Sequence, residues 1–363
     1  MSTGGTTSEY YILIQEYSSI ATETNSLQYN LSTTGPGNQN FITLAKVYKV
    51  CYNMVMEKYS TKLQRIITAT GWSQEYLASK LGISFVTLNS WINDKSIPRT
   101  KSEERINLLY AEIMGSDACD TDALVELKKR ATAKKYTAKK LIADKSLLEH
   151  LTTSLTYHSN GTEGSTMTEE DVEAVIYGNK TLRSRTAVEQ REAINHQAAL
   201  YFLLDELASS GSDFKITPEI IRATHLRMMN GIISDAGYYR IHSVRIRGSF
   251  VPLANYQKIP ELIEAWCNLV NGETGDKIEL LARSHAEFER IHPFSDGNGR
   301  TGRLMLFILA LKLGLMPPIF KKEKRFAYYK YLELAQTREI TDQLEMFIAN
   351  AIIETSDTIE EIA

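Results

Sequence analysis

A chain of 363 residues with 43% hydrophobic and 23% charged positions has the composition of a folded globular protein, long enough for two domains and a substantial core. Its net charge of −3 excludes a protein that is basic overall while leaving room for a local basic face. Cys51, Cys119 and Cys267 lie far apart and form no Cys-x-x-Cys pair, which argues against a disulfide framework or structural zinc and fits a reducing cytoplasm. The first residues lack the basic and apolar regions of a signal peptide, and no apolar run approaches the ~20 residues of a membrane span. A cytoplasmic protein with no membrane partner is the expectation.

Residues 1–42 mix tyrosines with a polar tract and read as a flexible N-terminal segment. Residues 43–118 carry helical patterns. Within them, Tyr76, Leu77, Leu81, Ile83, Val86, Leu88 and Trp91 supply the apolar faces of two short helices. Gly82 predicts a left-handed end to the first helix, and Ser84 a cap for the second. Two short helices joined by a turn with one glycine make the helix-turn-helix geometry. The segment resembles the Cro/repressor-type family, in which the second helix enters the major groove of duplex DNA. The resemblance implies Ser84, Phe85, Thr87 and Asn89 as exposed contact candidates, with Gln74 placed for a phosphate. Residues 119–151 are helix-compatible and rich in lysine, with Lys128, Lys129, Lys134, Lys135, Lys139 and Lys140. They read as a solvated, semi-rigid connector.

From 152 to 363 the pattern is mostly helical. A glycine-bearing turn, Ser159-x-x-x-Glu163-Gly164-Ser165, is followed by Thr168-Glu-Glu-Asp171. Between Arg240 and Pro252, the residues Val244, Ile246, Gly248 and Phe250 alternate as in a short β-hairpin. Helical spacing returns at Leu280, Leu281, His285, Phe288 and Ile291. The densest chemistry then occupies 292–303: His292, Asp296, Gly297, Asn298, Gly299, Arg300, Thr301, Gly302 and Arg303. Gly297-x-Gly299-x-x-Gly302 also satisfies the dinucleotide fingerprint, but that motif needs a preceding strand, and a helical pattern precedes it here. A buried helix should start at the glycine turn and run through Leu304–Leu311. Its uncapped N–H groups and dipole would form an anion site. Arg300 and Arg303, three apart, can face the same anion. Asp296 suits Mg²⁺, and His292 is the one side chain there able to take a proton near neutral pH. These are the parts of a nucleotide phosphate site with a general base at its mouth.

The stretch His292-Pro-Phe-Ser-Asp296-Gly297-Asn298-Gly299-Arg300-Thr301-Gly302-Arg303 resembles the full signature of the Fic family, whose members mostly transfer AMP from ATP to a hydroxyl of a target protein. The resemblance implies a mainly α fold: a helical Fic bundle with a small β-hairpin flap, preceded by the helix-turn-helix domain. Ser159, Glu163 and Gly164 are similar to the inhibitory motif of that family, with Ser165 where asparagine is usual. Glu163 would then pair with Arg303 and withhold it from the γ-phosphate of ATP. Gly248, Ser249, Phe250 and Val251 would form the flap and touch base or ribose. Tyr329, Tyr328 and Gln336 would enclose the adenine, on a helix resembling the one that does so in the family.

The implied function is protein adenylyl transfer. ATP and Mg²⁺ would be used, His292 would be the base, and a Ser, Thr or Tyr hydroxyl on a partner protein would be the acceptor. Two alternatives stay open: a Fic-fold enzyme that removes AMP or transfers another phosphate group, and a transcription regulator that only senses nucleotide. A homodimer is compatible with each.

Overall fold

A computed structural model of the chain describes residues 58–114, 121–246, 251–272 and 275–362. The expected flexible segment 1–42, Cys51, Cys119 and the flap residues Gly248, Ser249 and Phe250 lie outside the described residues. No helix among them is long and apolar enough to cross a membrane.

The first four helices are α1 (Tyr59–Thr70), α2 (Gln74–Leu81), α3 (Phe85–Ile92) and α4 (Thr100–Met114). The boundaries follow from local chemistry. Ser73 caps α2 by accepting the Tyr76 N–H, and Ser84 caps α3 by accepting the Thr87 N–H. Between them Gly82 adopts φ 67°, the left-handed conformation that a residue with a Cβ pays to enter. Leu63, Ile66, Leu77, Leu81, Leu88, Trp91 and Ile106 bury into a core of their own. This is the helix-turn-helix that the glycine and serine positions predict.

The remaining helices are α5 (Thr121–Ala133), α6 (Ala138–Ala143), α7 (Lys145–Thr162), α8 (Glu169–Ile176), α9 (Ala187–Ser210), α10 (Pro218–Met229), α11 (Ile259–Asn271), α12 (Lys277–Ile291), α13 (Asn298–Lys312), α14 (Arg325–Arg338) and α15 (Asp342–Ile362). Helix α8 buries Val172, Val175 and Ile176 in a small cluster with Met167 and Ala193, and the others share a second, larger core. At its centre is α13, whose residues from Arg300 to Leu311 are all buried. Helices α7, α9, α10 and α12 surround it. An unbroken apolar helix has no solvent face to offer, so it can only be the axis of a bundle.

One expectation needs correction. The lysine-rich segment is not a solvated connector. Leu127, Ala131, Tyr136, Ala138 and Leu141 enter the main core, and α5 lies along α15. Lys128 pairs with Glu345 and with Asp276 (2.7 Å), and Lys134 with Asp357 (3.1 Å) and Glu360 (2.8 Å). Lys128 and Lys134 thus meet acids more than a hundred residues away, while Lys129, Lys135, Lys139 and Lys140 remain exposed.

The expected hairpin falls in part on residues 247–250, outside the described ones. Among the described residues there is no strand, and Val244 to Ile246 run without a ladder. What anchors the chain on either side of those residues is Arg240. Its buried guanidinium donates to the carbonyls of His292 (2.7 Å), His242 (2.8 Å), Ala254 (2.7 Å) and Ile291 (3.3 Å). Arg240→Met would strand those four acceptors, so a loss of about 3 kcal/mol and a fall in Tm of about 5 °C or more are expected by calorimetry. An unchanged Tm would show that water replaces the guanidinium without cost.

Candidate functional site

The site is built where α12 hands over to α13. Helix α12 ends at Ile291, and His292 closes it in the left-handed region (φ 50°, ψ 62°), unusual for a residue other than glycine. That turn directs the imidazole out of the helix. Nδ1–H donates to the Glu289 carbonyl (3.2 Å), which leaves Nε2 as the free acceptor. Burial, chiefly, pushes the imidazole down to about 4, so it is neutral and able to take a proton at pH 7.

The loop is held from below. Phe294 is buried and stacks on His225 with ring centroids 3.6 Å apart. The Gly237 N–H donates to His225 Nδ1 (2.9 Å), so Nε2–H donates to the Asp296 carbonyl (2.9 Å). Burial keeps His225 neutral, with its pKa down at about 4. At Gly297 φ is 75°, and an added Cβ would come 2.6 Å from Met229 Sδ; only glycine fits.

Helix α13 starts with no side-chain cap, leaving the amides of its first turn to the cleft. Both signature arginines are buried beside them. Arg300 Nη1 donates to Glu192 of α9 (2.6 Å), and its Nε has no partner among the described residues. Arg303 Nε donates to the Ser159 hydroxyl (3.0 Å), and Nη2 to the Ser159 carbonyl (3.0 Å) and Glu163 Oε1 (2.7 Å). Its Nη1 has no partner there either. Although burial opposes its charge, Glu163 leads the influences that hold Arg303 well above the usual guanidinium value. Glu163 Oε1 also lies against Gly299, where any Cβ would collide with it. A carboxylate thus occupies the cradle formed by the glycine turn and Arg303.

Asp296 is exposed, with Oδ1 accepting the Gly297 N–H (2.7 Å) and Arg300 Nη2 at 3.9 Å. One open carboxylate beside an anion cradle fits Mg²⁺ held jointly with phosphate oxygens. Among the described residues, no group of three or more His, Cys, Asp or Glu could hold a metal by itself.

His292, Asp296, Gly297, Gly299, Arg300, Arg303, Ser159 and Glu163 therefore converge. Gly164 follows in the turn with φ 108°. The other candidates have different surroundings. The Asn298 side chain closes on the loop, accepting the Phe294 N–H (2.9 Å) and donating to the Phe294 carbonyl (2.8 Å), so its amide is spent on shaping the turn. Thr301 is wholly buried, and Gly302 faces Phe288 and Glu289 of α12. Tyr328 is a core residue bonded to His285 Nε2 (2.8 Å). Tyr329 is exposed and reaches the Thr162 carbonyl at the end of α7 (3.4 Å). Gln336 donates to the Ala286 carbonyl (3.3 Å) and lines an open cleft of about 830 Å³ with Trp266 and Arg290. Val251 is half-buried.

On α3 the Ser84 and Thr87 hydroxyls bond to each other (2.8 Å), and Asn89 accepts from Asn93. Gln74 is half-buried at the start of α2. Phe85 and Val86 are the outward side chains of α3's first turn, so Val86, expected on the apolar face, does not join the core. Arg240, Glu192, His225 and Glu289 were missed. Nothing in their local sequence marks them, because each acts on a residue distant in the chain or inside a fold not yet known.

With this geometry established, the chain's relatives are informative. Residues 215–310 match the Fic/DOC family and residues 63–102 the helix-turn-helix family. Proteins named protein adenylyltransferase Fic from Aedes aegypti and Drosophila erecta are 30% and 29% identical over 203 residues, covering 55% of this chain. The chain spans 40% of the length of those two relatives. Fic-1 from C. elegans shares the fold with a TM-score of 0.59 at 20% identity, over 86% of this chain and 100% of that one. A Fic family protein from Desulfovibrio desulfuricans does so with 0.54 at 22%, over 67% and 76%. The chain carries a Fic/DOC domain with a Fic fold and a helix-turn-helix domain, and it is a distant relative of protein adenylyltransferases.

Proposed function

We propose that the C-terminal unit, with α5 and α6 counted in it, transfers AMP from ATP to a hydroxyl side chain of a target protein and is held silent by Glu163. The observation that carries this reading is the Glu163–Arg303 pair of 2.7 Å inside the anion cradle, within the same site as a neutral His292. In the reaction, His292 Nε2 takes the acceptor's hydroxyl proton as its oxygen bonds to the α-phosphorus. The bond from that phosphorus to the bridging oxygen breaks, and pyrophosphate leaves. The amides of α13's first turn and Arg300 stabilise charge on the transferred phosphate, with Glu192 aiming the Arg300 guanidinium. Arg303 holds the γ-phosphate, which aligns the α-phosphorus for in-line attack. Asp296 would hold Mg²⁺, which supplies charge neutralisation on the phosphate oxygens. The test is mass spectrometry of the Glu163→Gly protein incubated with ATP and Mg²⁺ in a cell lysate. An AMP adduct on a Ser, Thr or Tyr is expected, whereas a phosphate adduct would assign the site to a different transfer.

We further propose that the helix-turn-helix binds duplex DNA mainly through phosphates. The hydroxyls of Ser84 and Thr87 are occupied in capping α3, and Asn89 accepts from Asn93, which leaves little for base reading. Binding of the full chain to genomic fragments should fall steeply as salt rises, on the order of tenfold between about 50 and 200 mM. Binding that is absent even at low ionic strength would leave the module a structural one.

A further inference from the structure

Beneath the first turn of α13 lies an acid that the transfer chemistry described above does not use. Glu289 is 5% exposed, three residues before His292 on α12. Its Oε1 is buried without a partner among the described residues and presses on Gly302, where a Cβ would collide with it. Glycine there is what lets the carboxyl enter the helix turn. Its Oε2 lies 3.9 Å from Nδ1 of His292, on the side of the ring opposite the free Nε2. An unpaired acid in a dry pocket, aimed at a base, costs stability that a purely structural side chain would avoid.

We propose that Glu289 is a positioning residue for the base: its carboxyl group, by ionising, strengthens His292 as a proton acceptor. The kinetic consequence rests on the AMP-transfer reading, but the coupling between the two side chains does not.

The groups facing Glu289 decide its charge. From α13 comes Arg303 and from the end of α7 comes Glu163. From α14 come the phenols of Tyr328 and Tyr329, and from α12 itself His285 and His292. Burial dominates and pushes the Glu289 carboxyl up to about 8; Arg303 opposes this and Glu163 adds to it. At neutral pH the acid is mostly neutral and His292 has no anion behind it. As pH rises through 8 the carboxylate forms and favours the imidazolium, so a base depressed to about 4 gains strength. Removing the Glu163 charge lowers the Glu289 value, so release of inhibition moves this gain toward neutral pH. One displacement would therefore free Arg303 and strengthen the base.

The test uses the full chain with ¹³C-labelled histidine. In the parent protein, the His292 resonance should show a second inflection near pH 8, absent in Glu289→Gln and in Glu289→Leu. In the Glu163→Gly background, AMP transfer should rise about threefold or more from neutral to alkaline pH, and adding Glu289→Gln should flatten that rise. Calorimetry should find ATP affinity retained, which separates loss of tuning from loss of fold. A His292 titration curve identical with and without the Glu289 carboxyl overturns the proposal. If no variant transfers AMP at any pH, the transferase reading fails, and the resonance inflection alone still decides whether Glu289 governs His292.

Discussion

Under the proposed adenylyl transfer, replacing Glu163 with glycine should raise AMP transfer at least about tenfold over the parent protein, a change that needs about 1.4 kcal/mol of barrier. The structure makes the cause specific. Glu163 Oε1 sits 2.7 Å from Arg303 Nη2 and against Gly299, the place an anion on that helix turn would take. Two anions in one buried cradle repel, so a γ-phosphate bound there would have to displace the carboxylate from the fork. Removing the carboxylate leaves Arg303 oriented by Ser159 alone, through its hydroxyl and carbonyl (both 3.0 Å). Arg303→Ala should cancel the gain, because without that guanidinium the γ-phosphate is not held, however strong the base. Rates of self-labelling for the parent, both single variants and the double variant are sufficient. Equal labelling of parent and Glu163→Gly would remove the competition model.

His292→Ala has the opposite outcome. Transfer in the Glu163→Gly background should fall at least about a hundredfold, while ATP affinity changes by less than about twofold. Among the described residues no arginine is hydrogen-bonded to the imidazole, and its Nδ1–H is spent on the Glu289 carbonyl. Its loss therefore removes the proton acceptor without removing a phosphate contact. The pH dependence follows with its sign: the base works unprotonated, so activity governed by His292 should be lost only as pH falls through about 4. A large loss of ATP binding in His292→Ala would make the residue a structural cap of α12 instead.

The parts of this molecule that could be read from its sequence are the local ones. Gly82 and Ser84 mark a turn and a cap by chemistry that acts within three residues. The run from Leu304 to Leu311 can only be a buried helix. The signature could be read because His292, Asp296 and both arginines are contiguous. The Glu163–Arg303 pair spans 140 positions, and only family resemblance suggested it. Errors occurred where the partner was remote or unsuspected. Lys128 and Lys134 looked solvated because Glu345, Asp357 and Glu360 come more than two hundred residues later. Asn298 stands within the signature, yet its side chain folds back on Phe294, which the motif alone does not disclose. Arg240 and Glu289 carry no periodic or motif signal at all. Their roles exist only once α12 and α13 are brought together, and a buried arginine or glutamate is recognisable by its partners, not by its neighbours in the chain.

The most direct test is to incubate the Glu163→Gly protein and its target with ATP labelled in the α-phosphate and, in parallel, in the γ-phosphate. The expected result is covalent label from the α-phosphate alone, with labelled pyrophosphate released from the γ-labelled sample and no product when His292 is also replaced. Label arriving from the γ-phosphate, or no covalent label with either nucleotide, would contradict adenylyl transfer at this site.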